Sequence, residues 1–186
     1  MDQCSNARVE GIVLRKHSRG WTFKATDCED LQIVNLKIVG SQSYNDDGID
    51  LCNSRRVHID GCFVRTNDDS FAFKGMNREA RTNCEDITVT KCMMWSDLCC
   101  TILLGDESHA DYMRNIVFRD CFVPFLSYEK YTKKFLLVHA CEEMRLENIR
   151  IENFEIRGQG QNNNYIEIAS EYNQWCATET AGYVKD

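Results

Sequence analysis

Val57-His58-Ile59-Asp60-Gly61-Cys62-Phe63-Val64 is followed, thirty residues on, by Ile87-Thr88-Val89-Thr90-Lys91-Cys92-Met93-Met94. Both stretches put apolar side chains at the first, third, sixth and eighth positions. A period of two on either side of a two-residue break describes two short strands joined at a bend. The same frame fits Ala7-x-Val9-x-x-Ile12-x-Leu14, Leu31-x-Ile33-x-x-Leu36-x-Ile38, Ile116-x-Phe118-x-x-Cys121-x-Val123 and Met144-x-Leu146-x-x-Ile149-x-Ile151. Its third apolar position steps by 24, 26, 30, 29 and 28 residues. A further strand follows in each unit: Trp21-Thr22-Phe23, Ile49-Asp50-Leu51, Phe71-Ala72-Phe73, Ile102-Leu103-Leu104, Leu136-Leu137-Val138 and Ile166-Glu167-Ile168. Three strands per unit, each unit burying its apolar face only against its neighbours, predict an all-β parallel β-helix, a single-stranded solenoid of about six coils.

The pattern predicts one domain over residues 1–186, since a single proline (Pro124) and few glycine runs leave no sign of a linker. No capping helix precedes the first coil, and the pattern dissolves after Ile168. Both features predict a piece of a longer β-helix, truncated at both ends.

Eleven cysteines would be unusual for a disulfide scaffold, being odd in number and spread over 186 residues. Cys62, Cys92 and Cys121 fall in the slot that Ile12, Leu36 and Ile149 also fill, and Cys4, Cys28, Cys84 and Cys141 fall three residues before the first apolar position. Cysteines in phase with isoleucine and leucine predict buried free thiols. No zinc-ligand spacing is present, and no metal or cofactor is predicted. The net charge of -7 counts against nucleic acid or an anionic membrane surface as partner and leaves a carbohydrate open. No run reaches the roughly 18 apolar residues of a membrane span. Met1 to Asn6 carry no basic or apolar leader. Localisation stays open between the cytoplasm, for a whole protein, and secretion, for a piece of an exported parent; the oligomeric state is open too.

The chemistry sits in two acidic motifs, Asn45-Asp46-Asp47-Gly48-Ile49-Asp50 and Asn67-Asp68-Asp69-Ser70-Phe71-Ala72-Phe73-Lys74. Asp47 and Asp69 each stand two residues before a strand of consecutive coils, so stacking at about 4.8 Å would set them on adjacent rungs with Asp68 beside them. Asn-Asp and Asp-Gly also mark ordinary turns. Two such motifs at one phase of the repeat favour a site, in which at least one carboxyl must have a raised pKa. Ser41–Asp47, Phe125–Lys134 and Arg157–Asn164 read as inserted loops on one side of the stack, where they would frame a groove. Glu107, His109 and His139 follow later strands near that side. Lys74 points outward with Ala72, toward substrate or into a salt bridge with Asp50. Trp21 shares the phase of Ile49 and Phe71 and reads as core, whereas Trp95 could stack on a sugar ring.

The run from Asn6 to Glu107 resembles glycoside hydrolase family 28, the polygalacturonase-like enzymes of the pectin-lyase-like superfamily, whose members are right-handed parallel β-helices. Asn45 to Asp50 is similar to the family's Asn-Thr-Asp-Gly-Ile-Asp motif, with Asp46 in place of threonine, and Asp68 to Lys74 is similar to its Asp-Asp-Cys/Ser-x-Ala-x-Lys motif. The resemblance implies metal-independent inverting hydrolysis of a pectin-like or related glycan. Asp68 would be the general acid, with Asp47 and Asp69 holding and activating the water. Asn45, Lys74, Glu107, His109 and His139 are the candidate substrate-binding residues. Two family motifs are missing: no histidine stands at Leu98-Cys99-Cys100 for Gly-His-Gly, and Lys134 to Val138 lacks the arginine of Arg-x-Lys. Trp95-Ser96-Asp97, then Ile102 to Glu107, resembles a divergent bacterial branch, and the missing basic pair leaves galacturonate and a neutral or differently substituted glycan both open as substrate. Two other classes compete: a non-catalytic glycan-binding or structural β-helix, and a calcium-dependent polysaccharide lyase.

Overall fold

A computed structural model describes residues 1–15, 20–40, 43–76, 83–126, 135–139, 144–158 and 166–169. The first coil is β1 (Ser5–Glu10), β2 (Val13–Arg15) and β3 (Phe23–Thr26); the second is β4 (Glu29–Val34), β5 (Lys37–Val39) and β6 (Ile49–Cys52). The third is β7 (Arg55–Asp60), β8 (Phe63–Thr66) and β9 (Phe71–Lys74), and the fourth β10 (Cys84–Thr90), β11 (Met93–Ser96) and β12 (Ile102–Leu104). The last two are β13 (Tyr112–Arg119), β14 (Phe122–Leu126), β15 (Leu136–His139) and β16 (Arg145–Glu152), β17 (Glu155–Gly158), β18 (Ile166–Ala169). Every third strand joins the same sheet, which gives three six-stranded sheets, paired in parallel throughout, among the described residues. The chain is a parallel β-helix, as the repeat predicts.

Registered pairing turns the apolar alternation into ladders through the core. In the first sheet Ala7, Leu31, Val57, Ile87, Ile116 and Ile149 stack in one file, and Val9, Ile33, Ile59, Val89, Phe118 and Ile151 in another. In the third sheet Phe23, Ile49, Phe71, Ile102 and Leu136 form the inward file nearest the acidic motifs, and the backbone of Ile166 continues the pairing. Phe118 meets Phe71 edge-on at 6.0 Å and stacks on Phe73 at 5.7 Å, which ties the first sheet to the third. Each of these rings is fully buried and contributes about 2–3 kcal/mol by leaving water.

The bend between the first two strands of each coil is a backbone device. Gly11, Asn35, Gly61, Lys91, Asp120 and Asn153 all have positive φ there, the left-handed conformation that glycine and asparagine adopt most readily. Gly11, Asn35, Gly61, Lys91 and Asp120 each donate their amide to a carbonyl of the following coil, so the bend is locked in register. Side-chain amides extend that order: Asn153 Nδ2 donates to Asp120 at 2.6 Å, and Asn148 to Asn115 to Asp86 at 2.9 and 2.8 Å.

The expected cysteine ladder is present for Cys62, Cys92 and Cys121, all buried and free, with Cys62 N–H donating to Cys92 Sγ at 3.4 Å. The frame of the last coil needs correcting. Ile149 pairs with Ile116, not with the Cys121 slot, so the final step is longer than the sequence frame gives and Phe154 takes the position after Cys121. The reason is that β13 and β16 are eight-residue strands that add the apolar pair Met113 and Leu146 ahead of the usual frame. That extra pair lets the same pattern be read five residues early. Cys141 lies outside the described residues. The three inserted loops do all connect the second sheet to the third, but most of the latter two also lies outside the described residues.

Gly48 is required by the close approach of coils at the acidic motif. A Cβ there would collide with the Ser70 carbonyl oxygen and Val64 Cγ1, and backbone cannot yield as a flexible side chain would. Gly48→Ala is expected to lower stability by about 2–3 kcal/mol, as overpacking does. A urea titration showing an unchanged midpoint would contradict this.

Candidate active site

The site is built on the third sheet and the turns that enter it. Thr22 N–H donates to Asp47 O, Gly48 N–H to Asp69 O, and Ser70 N–H to Cys100 O, at 2.9, 2.8 and 3.1 Å. These bonds set Trp21, Asp47, Asp69 and Cys100 in one file, one residue per coil. Asp47 and Asp69 therefore occupy adjacent rungs, as their common phase predicts. Asp68 lies beside Asp69: its Oδ1 accepts the Asp69 amide at 3.0 Å, and Thr66 Oγ1 donates to the Asp68 carbonyl at 2.7 Å. Asp69 Oδ1 accepts the Cys100 amide at 3.0 Å, which fixes the carboxyl from the next coil. Asn67 Nδ2 reaches the Ser43 carbonyl at 3.3 Å and ties the two acidic turns together.

Lys74 is the hub. Its Nζ lies 2.8 Å from Glu107 Oε2, 3.5 Å from Asp47 Oδ2 and 3.8 Å from Asp50 Oδ1, and sits 3.7 Å from the centroid of the Trp21 ring. The outward parity of β9 carries it there, in register with Cys52 of β6. Glu107 comes from the turn after β12, held against β9 by Gly105 N–H donating to Phe73 O and Ser108 Oγ accepting from Gly75 N–H at 2.9 Å. Asp47 and Lys74 are 2% exposed, Asp69 6% and Asp50 0%.

Burial decides the protonation. It pushes the Asp47 carboxyl up to about 6, with Lys74 opposing the rise and the Asp68 charge adding to it. Burial likewise holds Asp69 well above the carboxylate range, helped by the charges of Asp68 and Asp47. Asp50 is raised well above it by burial and then by Asp47. Burial works against the Lys74 ammonium, but Asp47, Asp50 and Glu107 outweigh it and raise the group above its ordinary value. Such a cluster can keep a proton on one carboxyl while its neighbour carries charge, which is the division acid/base chemistry needs. The Cys99 thiol and the carboxylates of Asp68 and Asp69 have atoms within 4.8 Å of one another. Burial and the two acids push that thiol up in pKa, which makes it a poor cation ligand.

Trp21 is a correction. It is not inward core: β3 begins at Phe23, and Phe23 pairs with Ile49, so Trp21 takes the file of Asp47 and lies half-buried against Lys74, with Lys24 Nζ also 4.7 Å from its centroid. The two-residue offset that separates Asp47 from Ile49 also separates Trp21 from Phe23, and could have revealed this. Trp95 is covered by the Arg65 guanidinium, 4.3 Å over its ring, and flanked by Phe125 at 5.5 Å. Asp46 is buried, its Oδ2 accepting the Ser43 amide at 2.8 Å within its own loop. Of the other candidates, Asn45 is exposed at positive φ, and His109 donates its backbone amide to Gly75 O. The backbone of His139 pairs with Ala169, and its side chain lies outside the described residues.

A family model for glycosyl hydrolases family 28 matches residues 1–122. The chain belongs to that family. The family-28 chain is similar in structure to a hyperthermoactive exopolygalacturonase from Thermotoga maritima, with a TM-score of 0.64 and 22% identity over 83% of this chain and 37% of that one. It is also similar to the family 28 exopolygalacturonase of Yersinia enterocolitica, at a TM-score of 0.49 and 12% identity over 89% of this chain and 46% of that one. No curated protein matches it. The family-28 chain thus spans less than half the length of either structure.

Because the folded Asp47 pKa lies above its unfolded value near 3.9, the native state loses stability as pH rises from about 4 to about 6. The loss at pH 7 is on the order of 2–3 kcal/mol. Asp47→Asn is expected to remove that share, so that variant and parent should differ more in melting temperature at pH 7 than at pH 4. Parallel pH profiles of the two proteins would contradict the assignment.

Proposed function

We propose that this chain carries the hydrolytic site of a glycoside hydrolase acting on a pectic polysaccharide or oligosaccharide, by metal-independent hydrolysis with inversion. The observation that carries this reading is the placement of Asp47 and Asp69 on adjacent rungs with Asp68 beside them, with burial raising the pKa of both Asp47 and Asp69. In this reading Asp68, the least enclosed of the three, is the general acid that protonates the leaving oxygen. Asp47, whose ionised form the nearby Lys74 ammonium favours, accepts a proton from the attacking water, while Asp69, fixed by the Cys100 amide, holds that water. Family membership supports the reaction class, and the exopolygalacturonase titles of the two similar structures support a pectic substrate. The lyase reading fits less well, because an ammonium occupies the middle of the buried carboxylates where a calcium ion would have to bind.

The test is release of reducing ends from polygalacturonate and from a panel of neutral pectic oligosaccharides. Asp68→Asn is expected to lower kcat by about a thousandfold with little change in fold. Full activity in that variant, or a first product of retained anomeric configuration by NMR, would remove the mechanism. With Asp47 as base, kcat/KM should fall as pH drops through about 6.

A further inference from the structure

Asp50 is the deepest acid in the cluster, and the mechanism above gives it no part. Its side chain points out of β6 yet is wholly enclosed, and neither of its oxygens has a hydrogen-bond partner among the described residues. Asp47 Oδ1 is buried without a partner in the same way. Buried oxygens left without a partner are costly, and more so when charged. Lys74 does not relieve them: its Nζ is nearer Glu107 and Asp47 than Asp50, and 3.8 Å is long for a charge-assisted hydrogen bond.

We propose that Asp50 is a positioning residue that stays protonated and donates its O–H to Asp47, so that the Lys74 charge is left to Asp47 and Glu107. Both carboxyls lie against the same ammonium, Asp47 Oδ2 at 3.5 Å and Asp50 Oδ1 at 3.8 Å from Lys74 Nζ, and one proton between them gives a partner to one orphaned oxygen on each side. No proton is consumed: Asp50 keeps it through the cycle while Asp47 exchanges its own with water. The charged and titratable groups facing Asp50 are Lys24 from β3, Asp47 and Cys52 from its own segment, Lys74 from β9, Asp69 from the turn before β9, and Glu107 from the turn after β12. Burial pushes the Cys52 thiol up to about 12, so it stays neutral. A hydrogen bond between the two lowers the Asp47 pKa and raises that of Asp50, the direction that leaves the proton on Asp50.

The inference rests on the hydrolytic reading for its kinetic consequence but not for its protonation state, and the two can be read separately. Difference infrared spectroscopy of the whole chain at pH 7 should show a protonated carboxyl C=O band that Asp50→Asn removes. No loss of such a band would overturn the proposal whether or not the protein turns over substrate. Kinetically, Asp50→Leu should move the acidic limb of kcat/KM up by about one pH unit, a tenfold loss below the limb. Asp50→Asn, whose amide still donates, should restore the limb. A limb unmoved by Asp50→Leu in a protein with wild-type circular dichroism would also overturn it, whereas loss of turnover in Asp68→Asn alone bears only on the hydrolytic reading.

Discussion

Parallel backbone pairing between β6 and β9 is the constraint on which the site depends. Ile49 opposite Phe71 and Leu51 opposite Phe73 fix the register of the two coils. Once it is fixed, Asp47 and Asp69 must stand one rung apart, because each precedes its strand by two residues. A slip of one residue would turn Ile49 and Leu51 out of the core, so the fully buried apolar ladder enforces the carboxylate spacing. The same stacking allows no side chain at Gly48, where the turn carrying one acid meets the turn carrying the other.

The cluster then has more buried acids than cations, and the imbalance explains its chemistry. Three carboxylates lean on one ammonium, and a fourth, Asp69, is held by a backbone amide instead of a cation. In a low-dielectric setting not all of these groups can be charged, so protons distribute by environment: nearest to Lys74 the charge is tolerated, and farther away it is not. Trp21 closes one side of the ammonium with its ring face, which favours the cation without supplying another charge. Outside this region the surface pairs, such as Arg56 with Asp30 and Glu29, are exposed and worth little individually. They order the ladder edges and have no bearing on the acids.

Strand phase explains which placements were legible in the order of residues and which were not. Asp47, Asp68 and Asp69 were legible because they precede strands whose apolar alternation is clean. Trp21 was not, because one aromatic residue at a strand entrance is apolar enough to extend the core pattern by two positions. Asp50 could be read only as a salt-bridge partner for Lys74, since nothing in the order of residues tells that three carboxyls compete for that ammonium. The last coil was misframed for a related reason: Met113 and Leu146 lengthen the pattern, and a period-two code has no absolute origin.

By itself the sequence determined the solenoid, the three sheets, the cysteine ladder and the alignment of the two acidic motifs, because periodicity and phase are properties of residue order. Tertiary structure alone decided the depth of Asp50, the convergence of Glu107 on Lys74 from the next coil, the place of Trp21 and the covering of Trp95 by Arg65. Those depend on distances between coils and on how much water each group keeps, and burial of a charge is a property of its surroundings that no local pattern encodes.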